Sequence, residues 1–367
     1  MIKCNDVQEQ ARDLAEPIIA RWRDVLACGE FILGDEVSRF EAWFSERCHG
    51  AFAVSMNSGT DALLLGLRAL GVGPGDEVIT CSNTFVATVG VIVAAGARPI
   101  LADVGDDELV NAGTIAPLLS SRTKAVVPVH LRGRPAGIES IVALCRPCGV
   151  AVLEDCAQAI GTTIDGRQVG ILGDAAAFSL HPLKTLGGLG DGGVLVTTNP
   201  KIAEYAESVR NHGLKSRGES AVFGMNSRLD ALQAAALNIK AQYLDQWLDR
   251  RKAIAAYYDE ALAETATGSD LGGFGQGNSF YHYVVRSADR EGLQRYLAMR
   301  GIETAIHYPM PIHMQEAWLR SQPRIDLPNT ERLAREILTI PCHHHLSDSD
   351  VERVVTTIKE FESLGLR

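Results

Sequence analysis

Short apolar segments alternate with helical patterns between about residues 50 and 240, and this alternation limits the possible folds more than any other feature of the sequence. Helical patterns such as Asp61–Leu70 and Thr84–Ala95 lie between the apolar segments. Strands that are joined through helices form a largely parallel sheet with helices on both faces, which predicts an α/β fold. The predicted strands are Ala51–Ser55, Glu77–Thr80, Arg98–Ala102, Thr123–Pro128, Ala151–Glu154, Ala175–Ser179 and Gly193–Thr197.

The pattern changes after residue 226, where a helical run extends from Leu229 to about Ala263. We interpret it as one helix that leads into a second domain, and we interpret the Gly-rich stretch Thr265–Gly277 as an exposed loop. The elements predicted beyond it are the strand Tyr281–Arg286 and helices near Glu291–Met299, near Asn329–Ile337 and after Ser347–Asp350. We predict a large catalytic domain at residues 29–240 and a small α+β domain at residues 241–367. A helix around Gln8–Ala27, within residues 1–28, is expected to pack on the small domain.

Charge and hydropathy exclude several classes of protein. The net charge of −10 and the lack of a long basic run argue against a nucleic-acid partner. The first residues lack the basic start and apolar core of a secretory signal, and the most apolar stretch, Phe85–Leu101, is broken by Gly90, Gly96 and Pro99. Eight mostly isolated cysteines are typical of reduced thiols. We therefore expect a cytoplasmic protein that does not interact with membranes.

The segment Asn57–Ala62 follows a predicted strand and opens a predicted helix. Ser58 and Thr60 at a helix start, with Gly59 allowing close approach of the backbone, leave N–H groups that attract a phosphate. An ordinary helix cap explains the same residues, so this segment by itself leaves both interpretations open.

Two acidic residues, Glu154 and Asp155, end a predicted buried strand. Ligands of open α/β sheets bind beyond the carboxyl ends of the strands, and a carboxylate there can pair with a pyridinium nitrogen and make the ring an electron sink. Gln158, one helical turn further on, can hydrogen-bond the phenolic oxygen of such a ring. The alternative is that Asp155 caps the next helix, while Glu154 faces the other way and has a structural role.

Lys184 lies between a proline-containing turn at His181–Thr185 and a glycine-rich loop at Gly187–Gly193. A cofactor can approach such a lysine closely, and a desolvated lysine becomes a Schiff-base nucleophile, whereas an exposed surface lysine is the alternative. The loop matches G-x-G-x-x-G, but it leads into a strand instead of opening a helix. We therefore do not interpret it as a dinucleotide site.

Eight motifs occur in the order seen in one enzyme family. They are Asn57–Ala62, Ser82–Phe85, Glu154–Gln158, Phe178–Lys184, Gly190–Gly193, Arg210–Gly213, Asn226–Asp230 and Ile306–Pro309. From about Gly29 to its end, the chain therefore resembles the DegT/DnrJ-type, StrS-like sugar aminotransferases, which are pyridoxal phosphate enzymes of the aspartate aminotransferase fold (fold type I). The resemblance implies a transaminase whose cofactor alternates between pyridoxal phosphate and pyridoxamine phosphate.

Carried over position by position, the resemblance implies that Lys184 holds the cofactor as an internal aldimine and later moves a proton between substrate and cofactor. It places Asp155 at the pyridine nitrogen, Gln158 near the ring oxygen and Phe85 against the ring. The implied phosphate contacts are Ser58, Gly59, Thr60 and Ser179. Asn226 would reach the phosphate of the neighbouring subunit, which implies a homodimer with shared active sites. The candidate substrate contacts are Arg228, His307, Tyr308, His313 and His181.

Two segments depart from the family pattern. The residues His181-Pro182-Leu183-Lys184-Thr185 replace the usual Phe-Tyr-Pro-Gly-Lys-Asn around the lysine. Arg132 and Arg134 occupy a segment where Leu-Tyr-Gly-Gln is usual. In the cleft these arginines would favour an anionic substrate, such as a nucleotide diphosphate or a carboxylated sugar, whereas at the surface they would be ordinary charges. We expect at least one of them at the surface.

Two clusters contain residue types that bind metals, and we predict no metal at either. Cys145 and Cys148 have the spacing of a zinc knuckle, but no second Cys-x-x-Cys follows. The run His343–His345 has Cys342 beside it, without a cluster of carboxylates or further cysteines.

The resemblance favours transfer of an amino group from glutamate, or glutamine, to a nucleotide-linked keto sugar. The segment Gly224–Arg228 favours a 3-keto acceptor, with 4-keto as the other position. A cyclitol ketone is an alternative acceptor, and a non-catalytic or regulatory homologue is an alternative of another class. Lys184 argues against a pyridoxamine-dependent sugar dehydratase, because such enzymes have a histidine in place of the lysine.

Overall fold

A computed structural model describes residues 1–267 and 277–365. The strands are β1 (Phe52–Met56), β2 (Glu77–Cys81), β3 (Arg98–Ala102), β4 (Thr123–Val127), β5 (Ala151–Asp155), β6 (Thr163–Ile164), β7 (Arg167–Gln168), β8 (Ala175–Ser179), β9 (Gly193–Thr197), β10 (Leu214–Ser216), β11 (Glu219–Ser220), β12 (Tyr283–Arg286) and β13 (Ile337–Ile340). The helices are α1 (Val7–Asp13), α2 (Ala15–Cys28), α3 (Asp35–Arg47), α4 (Gly59–Ala69), α5 (Val86–Ala94), α6 (Ala112–Ile115), α7 (Ile138–Cys145), α8 (Pro200–Arg210), α9 (Ala231–Ala241), α10 (Leu244–Ala261), α11 (Arg290–Met299), α12 (Glu316–Leu319), α13 (Pro328–Glu336) and α14 (Asp348–Ser363).

The seven strands that the sequence predicts form one sheet in the order β1-β9-β8-β5-β4-β2-β3. Strand β9 is antiparallel to both of its neighbours, β1 and β8, and the other neighbouring pairs are parallel. The predicted α/β fold with a largely parallel sheet is confirmed.

The parallel strands bring distant segments to one edge of the sheet. Asp155 ends β5 and Ser179 ends β8, while Ser58 follows β1 and Phe85 follows β2. Because these four strands point in the same direction, their carboxyl ends share one edge, where ligands of open α/β sheets bind. The apolar side chains of α4, α5 and α8 pack on the sheet in one continuous core, which fixes this edge in place.

The C-terminal part has its own apolar core. Strands β12 and β13 pair antiparallel and contribute to a buried cluster with α10, α11 and α14. Strand β13 is absent from the sequence prediction because its apolar residues directly follow α13 and continue the same apolar run. The division of the chain at residues 28 and 240 stays a prediction.

Two predicted helices are interrupted. The run from Leu229 to Ala263 forms α9 and α10, because the bonds from Gln242 N–H and Tyr243 N–H tighten to the residues three positions earlier. The predicted N-terminal helix forms α1 and α2. Here Pro17 lies in the first turn of α2, and a proline in a continuous helix would clash with the carbonyl group four residues earlier.

The sequence analysis expected the N-terminal helix to pack on the small domain, but the N-terminal helices do not pack mainly on the C-terminal core. Leu14 and Ile18 contact Ala236 of α9 and Trp247 of α10, and Val25 contacts further alanines of α9. The residue of this segment that belongs to the C-terminal cluster is Ile2. Most of the predicted loop at 265–277 lies outside the described residues. Among the described helices, none combines the length and the apolar character needed to cross a membrane.

Candidate active site

A cavity of about 440 Å³ lies at the carboxyl edge of the sheet. Parts of the chain that are far apart in sequence line it, including the start of α4, the end of β5 and the segment before β12. The predicted site residues among its lining are Ser58, Gly59, Thr60, Phe85, Asp155, Gln158, Ser179, His181, Lys184, His307 and Tyr308. The structure thus brings together most of the side chains that the sequence analysis selected.

Asp155 is a buried carboxylate whose oxygens are both hydrogen-bonded. Thr88 donates its hydroxyl to Oδ2 at 2.8 Å, and the Ala157 N–H donates to Oδ1 at 3.0 Å. Burial raises the pKa of Asp155 above its ordinary value, against these two hydrogen bonds and the charge of Lys184. No helix follows β5 directly, because residues 156–161 form turns. Asp155 therefore does not cap a helix, and Gln158 is not one helical turn away.

Lys184 projects from a tight turn in which its N–H donates to the His181 carbonyl at 2.8 Å. Its Nζ lies 4.8 Å from the centre of the Tyr281 ring. Burial lowers the pKa of Lys184 to about 8, although the Asp155 carboxylate opposes this shift. A lysine with this pKa has a substantial neutral, nucleophilic fraction near neutral pH.

The start of α4 forms a concave wall of the cavity. Ser58 caps the helix by accepting a hydrogen bond from the Asp61 N–H at 3.1 Å, which confirms the helix-cap interpretation, and the phosphate interpretation stays a prediction. A Cβ atom at Gly59 would lie 2.8 Å from Cβ of Ser179, and a Cβ atom at Gly193 would lie 2.3 Å from the Ser58 carbonyl oxygen. These approaches require glycine at both positions, and they hold the start of an eleven-residue helix close to β8 and β9, where it lines the cavity. The first N–H groups of such a helix can bind a phosphate.

Gln158 is held from two sides. Its Oε1 accepts a hydrogen bond from the Arg132 N–H at 2.7 Å, and its Nε2 donates to the Tyr308 hydroxyl at 3.1 Å. The second N–H of this amide remains for a ligand. Phe85 is 56% exposed at the mouth of the cavity, with its ring centre 6.1 Å from that of Tyr308.

Two histidines form a neutral surface in the cavity. His282 and His307 stack with ring centres 3.9 Å apart. Burial and then the charges of Arg132 and Lys184 lower the pKa of His307 to about 4, and burial together with His307 lowers the pKa of His282 well below its ordinary value. Both rings are therefore uncharged at neutral pH and can hydrogen-bond hydroxyl groups.

Among the lining residues that the sequence analysis did not select are Tyr281, His282 and Thr88. Thr88 carries the one hydroxyl within α5, whose other residues are apolar, and this exception was a usable signal. Tyr281 and His282 lie just before β12 and not inside it, so the strand pattern gave no indication that both face the cavity.

Three predicted site residues lie away from the cavity within this chain. His313 is buried, with Nδ1 2.7 Å from the Ser82 hydroxyl and Nε2 3.3 Å from Glu331, and these contacts indicate a structural role. Arg228 donates to Asn211 at 2.9 Å. Asn226 is exposed and pairs with the backbone of Asn211. Arg228 and His313 do not line this cavity, and their predicted substrate contacts stay predictions.

The sequence analysis expected at least one of Arg132 and Arg134 at the surface. This expectation is wrong, because both side chains are buried. Arg132 forms an ion pair with Glu108, and Arg134 donates to the Asp107 carbonyl at 2.9 Å. Neither side chain is part of the cavity lining as far as the chain is described. They therefore provide no anion-binding group in the cleft.

One buried cluster has metal-binding residue types, His130, Glu154 and Cys156. The Nδ1 atom of His130 accepts a hydrogen bond from the Ala136 N–H at 3.0 Å, so Nε2 carries the proton and donates to Glu154 at 3.0 Å. Both imidazole nitrogens are thereby used. The same carboxylate accepts three backbone N–H bonds, from residues 170, 172 and 173, which assigns Glu154 a structural role.

The run His343–His345 packs against the N-terminal segment. His343 Nε2 lies 3.2 Å from the Lys3 carbonyl oxygen, His344 stacks on Trp247 with ring centres 4.6 Å apart, and His345 lies 3.7 Å from Asp13. Nδ1 of His343, Nδ1 of His344 and Nε2 of His345 have no hydrogen-bond partner within the described chain, and the absence of a metal here stays a prediction.

The model of one family, described as the DegT/DnrJ/EryC1/StrS aminotransferase family, matches residues 12–359. The chain belongs to this family. A pleiotropic regulatory protein of Geobacillus stearothermophilus is 37% identical over 97% of both chains. The dTDP-3-amino-3,4,6-trideoxy-α-D-glucose transaminase of Streptomyces venezuelae is 39% identical over 96% of this chain and 93% of its own. The crystal structure of S. venezuelae DesV with a ketimine intermediate matches with a TM-score of 0.92 and 37% identity over 97% of each chain.

As a DegT/DnrJ/EryC1/StrS family member, the protein is a pyridoxal phosphate-dependent aminotransferase. The cavity fits this cofactor on three independent grounds. It has a lysine with a lowered pKa, a buried carboxylate whose charge acts on that lysine, and the start of an eleven-residue helix, whose N–H groups can bind a phosphate. Lys184, Asp155 and the residues of the α4 start would hold the aldehyde, ring nitrogen and phosphate respectively.

The lowered pKa of Lys184 leads to a prediction for the cofactor-free protein. At pH 7 about one tenth of an amine with a pKa of about 8 is neutral, compared with less than a thousandth for an ordinary lysine at 10.5. We expect the rate of covalent cofactor uptake to rise about tenfold per pH unit up to about pH 8 and then to level off. Stopped-flow absorbance, followed by borohydride trapping and peptide mapping, measures it.

Lys240 is the internal control for this experiment. Burial also lowers its pKa to about 8, but its Nζ donates to Gln10 and to the Gly187 carbonyl outside the cavity lining. A rate that keeps rising through pH 10, or a label on Lys240 in place of Lys184, contradicts the prediction.

Proposed function

We propose that the protein transfers an amino group from glutamate, or glutamine, to the 3-keto carbon of a nucleotide-linked sugar. The observation that carries the proposal is the position of Lys184, which lies in a cavity with the Asp155 carboxylate on one side and neutral histidines on the other. The name of the S. venezuelae relative, a dTDP-3-amino sugar transaminase, supports both the acceptor class and the carbon.

The chemistry of transfer depends on proton movement at Lys184. Bound pyridoxal phosphate supplies the carbon that carries the amino group between substrates and a ring that accepts the electrons of the broken C–H bond. Lys184 takes the proton from the substrate carbon and then gives it to the cofactor, which a neutral amine near pH 8 can do. Tyr281, with its ring centre 4.8 Å from Nζ, limits the space into which this side chain can move.

Asp155 provides the fixed negative charge that keeps a ring nitrogen protonated. Its hydrogen bonds from Thr88 and Ala157 favour the carboxylate form and fix its orientation. Burial alone would favour the neutral acid, so the pairing with a cationic ring is what retains the charge. Asp155 therefore orients and polarises, and Lys184 moves the proton.

The acceptor side of the cavity suits a polyhydroxylated, uncharged ring. His282, His307 and Tyr308 offer hydrogen-bonding groups that are neutral near pH 7, and Phe85 offers an exposed apolar face at the mouth. Because the guanidinium of Arg132 is neutralised by Glu108, we do not propose a carboxylated sugar.

A homodimer with shared active sites is part of the proposal. Exposed apolar side chains near the cavity mouth and on the segment before Asn226 support it, since an isolated monomer would expose them to water. They are Phe31, Phe85, Leu183, Leu189 and Phe223. Light scattering of the purified protein gives the mass that decides this part. A cytoplasmic location and the domain boundaries at residues 28 and 240 remain proposals as well.

The regulatory name of the G. stearothermophilus relative favours one second candidate, a protein that binds the cofactor and a sugar ligand to signal rather than to catalyse. The complete set of Lys184, Asp155, Gln158 and Ser179 in the cavity supports catalysis instead.

Spectral titration with amino sugars tests the acceptor. We expect glutamate to bleach the yellow protein, and a dTDP-linked or UDP-linked 3-amino sugar to bleach it in the reverse half-reaction at micromolar to millimolar concentration. The matched controls are the 4-amino isomer and an aminocyclitol. A response to the 4-amino isomer alone, or to the aminocyclitol alone, contradicts the proposed acceptor. A protein that stays yellow with glutamate, glutamine and all amino sugars supports the regulatory candidate.

A further inference from the structure

The turn at residues 131–134, where this chain departs from its family's usual sequence, joins both sides of the cavity through Arg132. The Arg132 N–H donates to Gln158 Oε1 at 2.7 Å, and Nη2 of its side chain donates to the His307 carbonyl at 2.7 Å. Gln158 in turn donates to the Tyr308 hydroxyl at 3.1 Å. Since His307 and Tyr308 are consecutive, these contacts close a ring of four residues.

Three of the four residues in this ring line the cavity, and Arg132 is the exception. Gln158 lies at the side expected to hold the cofactor ring, whereas His307 and Tyr308 form the side proposed for the acceptor. Arg132 is 2% exposed and holds both sides from behind. A group in this place cannot touch a substrate, but it sets the distance between two groups that can.

The charge of Arg132 is balanced by Glu108, which is also 2% exposed and forms an ion pair with Nη1. Within the described chain, Nε of Arg132 and Oε1 of Glu108 have no hydrogen-bond partner. Arg132 contributes the largest favourable interaction to the Glu108 charge, and Arg134 and Arg286 contribute smaller ones. Arginine suits this arrangement because its planar fork reaches Glu108 with one nitrogen and the His307 carbonyl with another, which the single nitrogen of a lysine does not reproduce.

We propose that Arg132 is a positioning residue that fixes His307 and Tyr308 relative to Gln158, with Glu108 as its counter-ion. The inference rests on the proposed function, because it assigns His307 and Tyr308 to the acceptor side. Glu108 holds the guanidinium in place, and the hydrogen bond to the His307 carbonyl transmits that position to the cavity.

Three variants separate positioning from stability. Glu108→Gln leaves a buried unpaired charge but keeps the hydrogen bond to His307. Arg132→Met removes the main partner of the Glu108 charge and loses that bond, and the double variant Glu108→Gln/Arg132→Met loses the bond and removes both charges of the ion pair. We expect both single variants to unfold several degrees lower than the native protein, and the double variant to recover most of that loss.

Two measurements report on the positioning of His307 and Tyr308. In the cofactor-free protein, hydrogen exchange of the peptide carrying His307 and Tyr308 should be at least about threefold faster in the double variant than in Glu108→Gln. In the loaded protein, the apparent affinity for a dTDP-linked 3-amino sugar should fall about tenfold in the double variant, while the rate of the glutamate half-reaction changes less than about twofold.

The two readouts keep this inference distinct from the proposed function. If the native protein does not respond to glutamate or to the amino sugar, the proposed function fails, and hydrogen exchange still decides whether Arg132 holds the segment. Equal exchange in the double variant and in Glu108→Gln overturns the inference. If the native protein binds the amino sugar, an unchanged affinity in the double variant also overturns the inference.

Discussion

Lys184→Ala is expected to lower the turnover of amino transfer by about 10³-fold or more. The variant removes the one nucleophilic amine of the described cavity and the group that moves the proton, while its small side chain adds no steric conflict in a half-buried turn. Steady-state transamination measures the loss, and the purified variant should be colourless once free cofactor is removed.

Two matched variants show what this loss depends on. Lys184→Arg keeps the positive charge but not a group that gives up its proton near neutral pH, so it should be as inactive as Lys184→Ala. Lys201→Ala removes an exposed lysine in the first turn of α8 and should keep full activity. A coloured, active Lys184→Ala protein would show that another amine carries the reaction.

Asp155→Asn is expected to lower turnover by about 10²- to 10³-fold while leaving the fold intact or stabilising it. The amide oxygen can still accept the hydrogen bond from the Ala157 N–H, and the amide nitrogen can donate to the Thr88 hydroxyl, but the amide lacks the charge that keeps the ring nitrogen protonated. Because the carboxylate is buried and its pKa is raised by burial, removing its charge also removes a cost to the folded state. Activity and melting temperature should therefore move in opposite directions.

Glu154→Gln is the matched control for that experiment, one residue earlier in the same strand. Hydrogen bonds from His130 and the backbone keep the pKa of this carboxyl below its ordinary value, despite the opposing effect of burial. Removing the charge should lower the free energy of unfolding by about 3 kcal/mol, because it weakens several charge-assisted hydrogen bonds. Thermal unfolding followed by circular dichroism should show this loss, and folded Glu154→Gln protein should turn over at nearly the native rate. Loss of turnover in both variants would mean that the two carboxylates are not functionally separate.

The sheet was predictable because each of its strands is a short apolar segment bounded by turn residues, and the register of Asp155 at a strand end followed from that pattern. Helix boundaries were less accessible. The break between α9 and α10 and the strand β13 depend on tertiary contacts, whereas the apolar periodicity continues through both. Local pattern thus indicated the strands of the large sheet, whereas packing determined the existence of β13 and the ends of some helices.

The site also contains residues that local sequence indicated and residues that only the fold brings together. Lys184, Asp155 and Ser58 could be assigned because each stands at a recognisable end of an element. Arg132 could not, because its burial depends on Glu108, whose pairing with it is invisible in a local motif. The stacked pair of His282 and His307 likewise comes from two segments that only the fold places 3.9 Å apart.

The end of β5 places a structural carboxylate and a functional one on consecutive residues that face opposite sides of the sheet. Because side chains alternate along a strand, deleting a single residue before Glu154 would move Asp155 away from the cavity and into the cage of backbone N–H groups, and Glu154 out of that cage. Both the reaction and the fold would lose their carboxylate in one step. The structural and the functional carboxylate therefore both depend on the phase of β5.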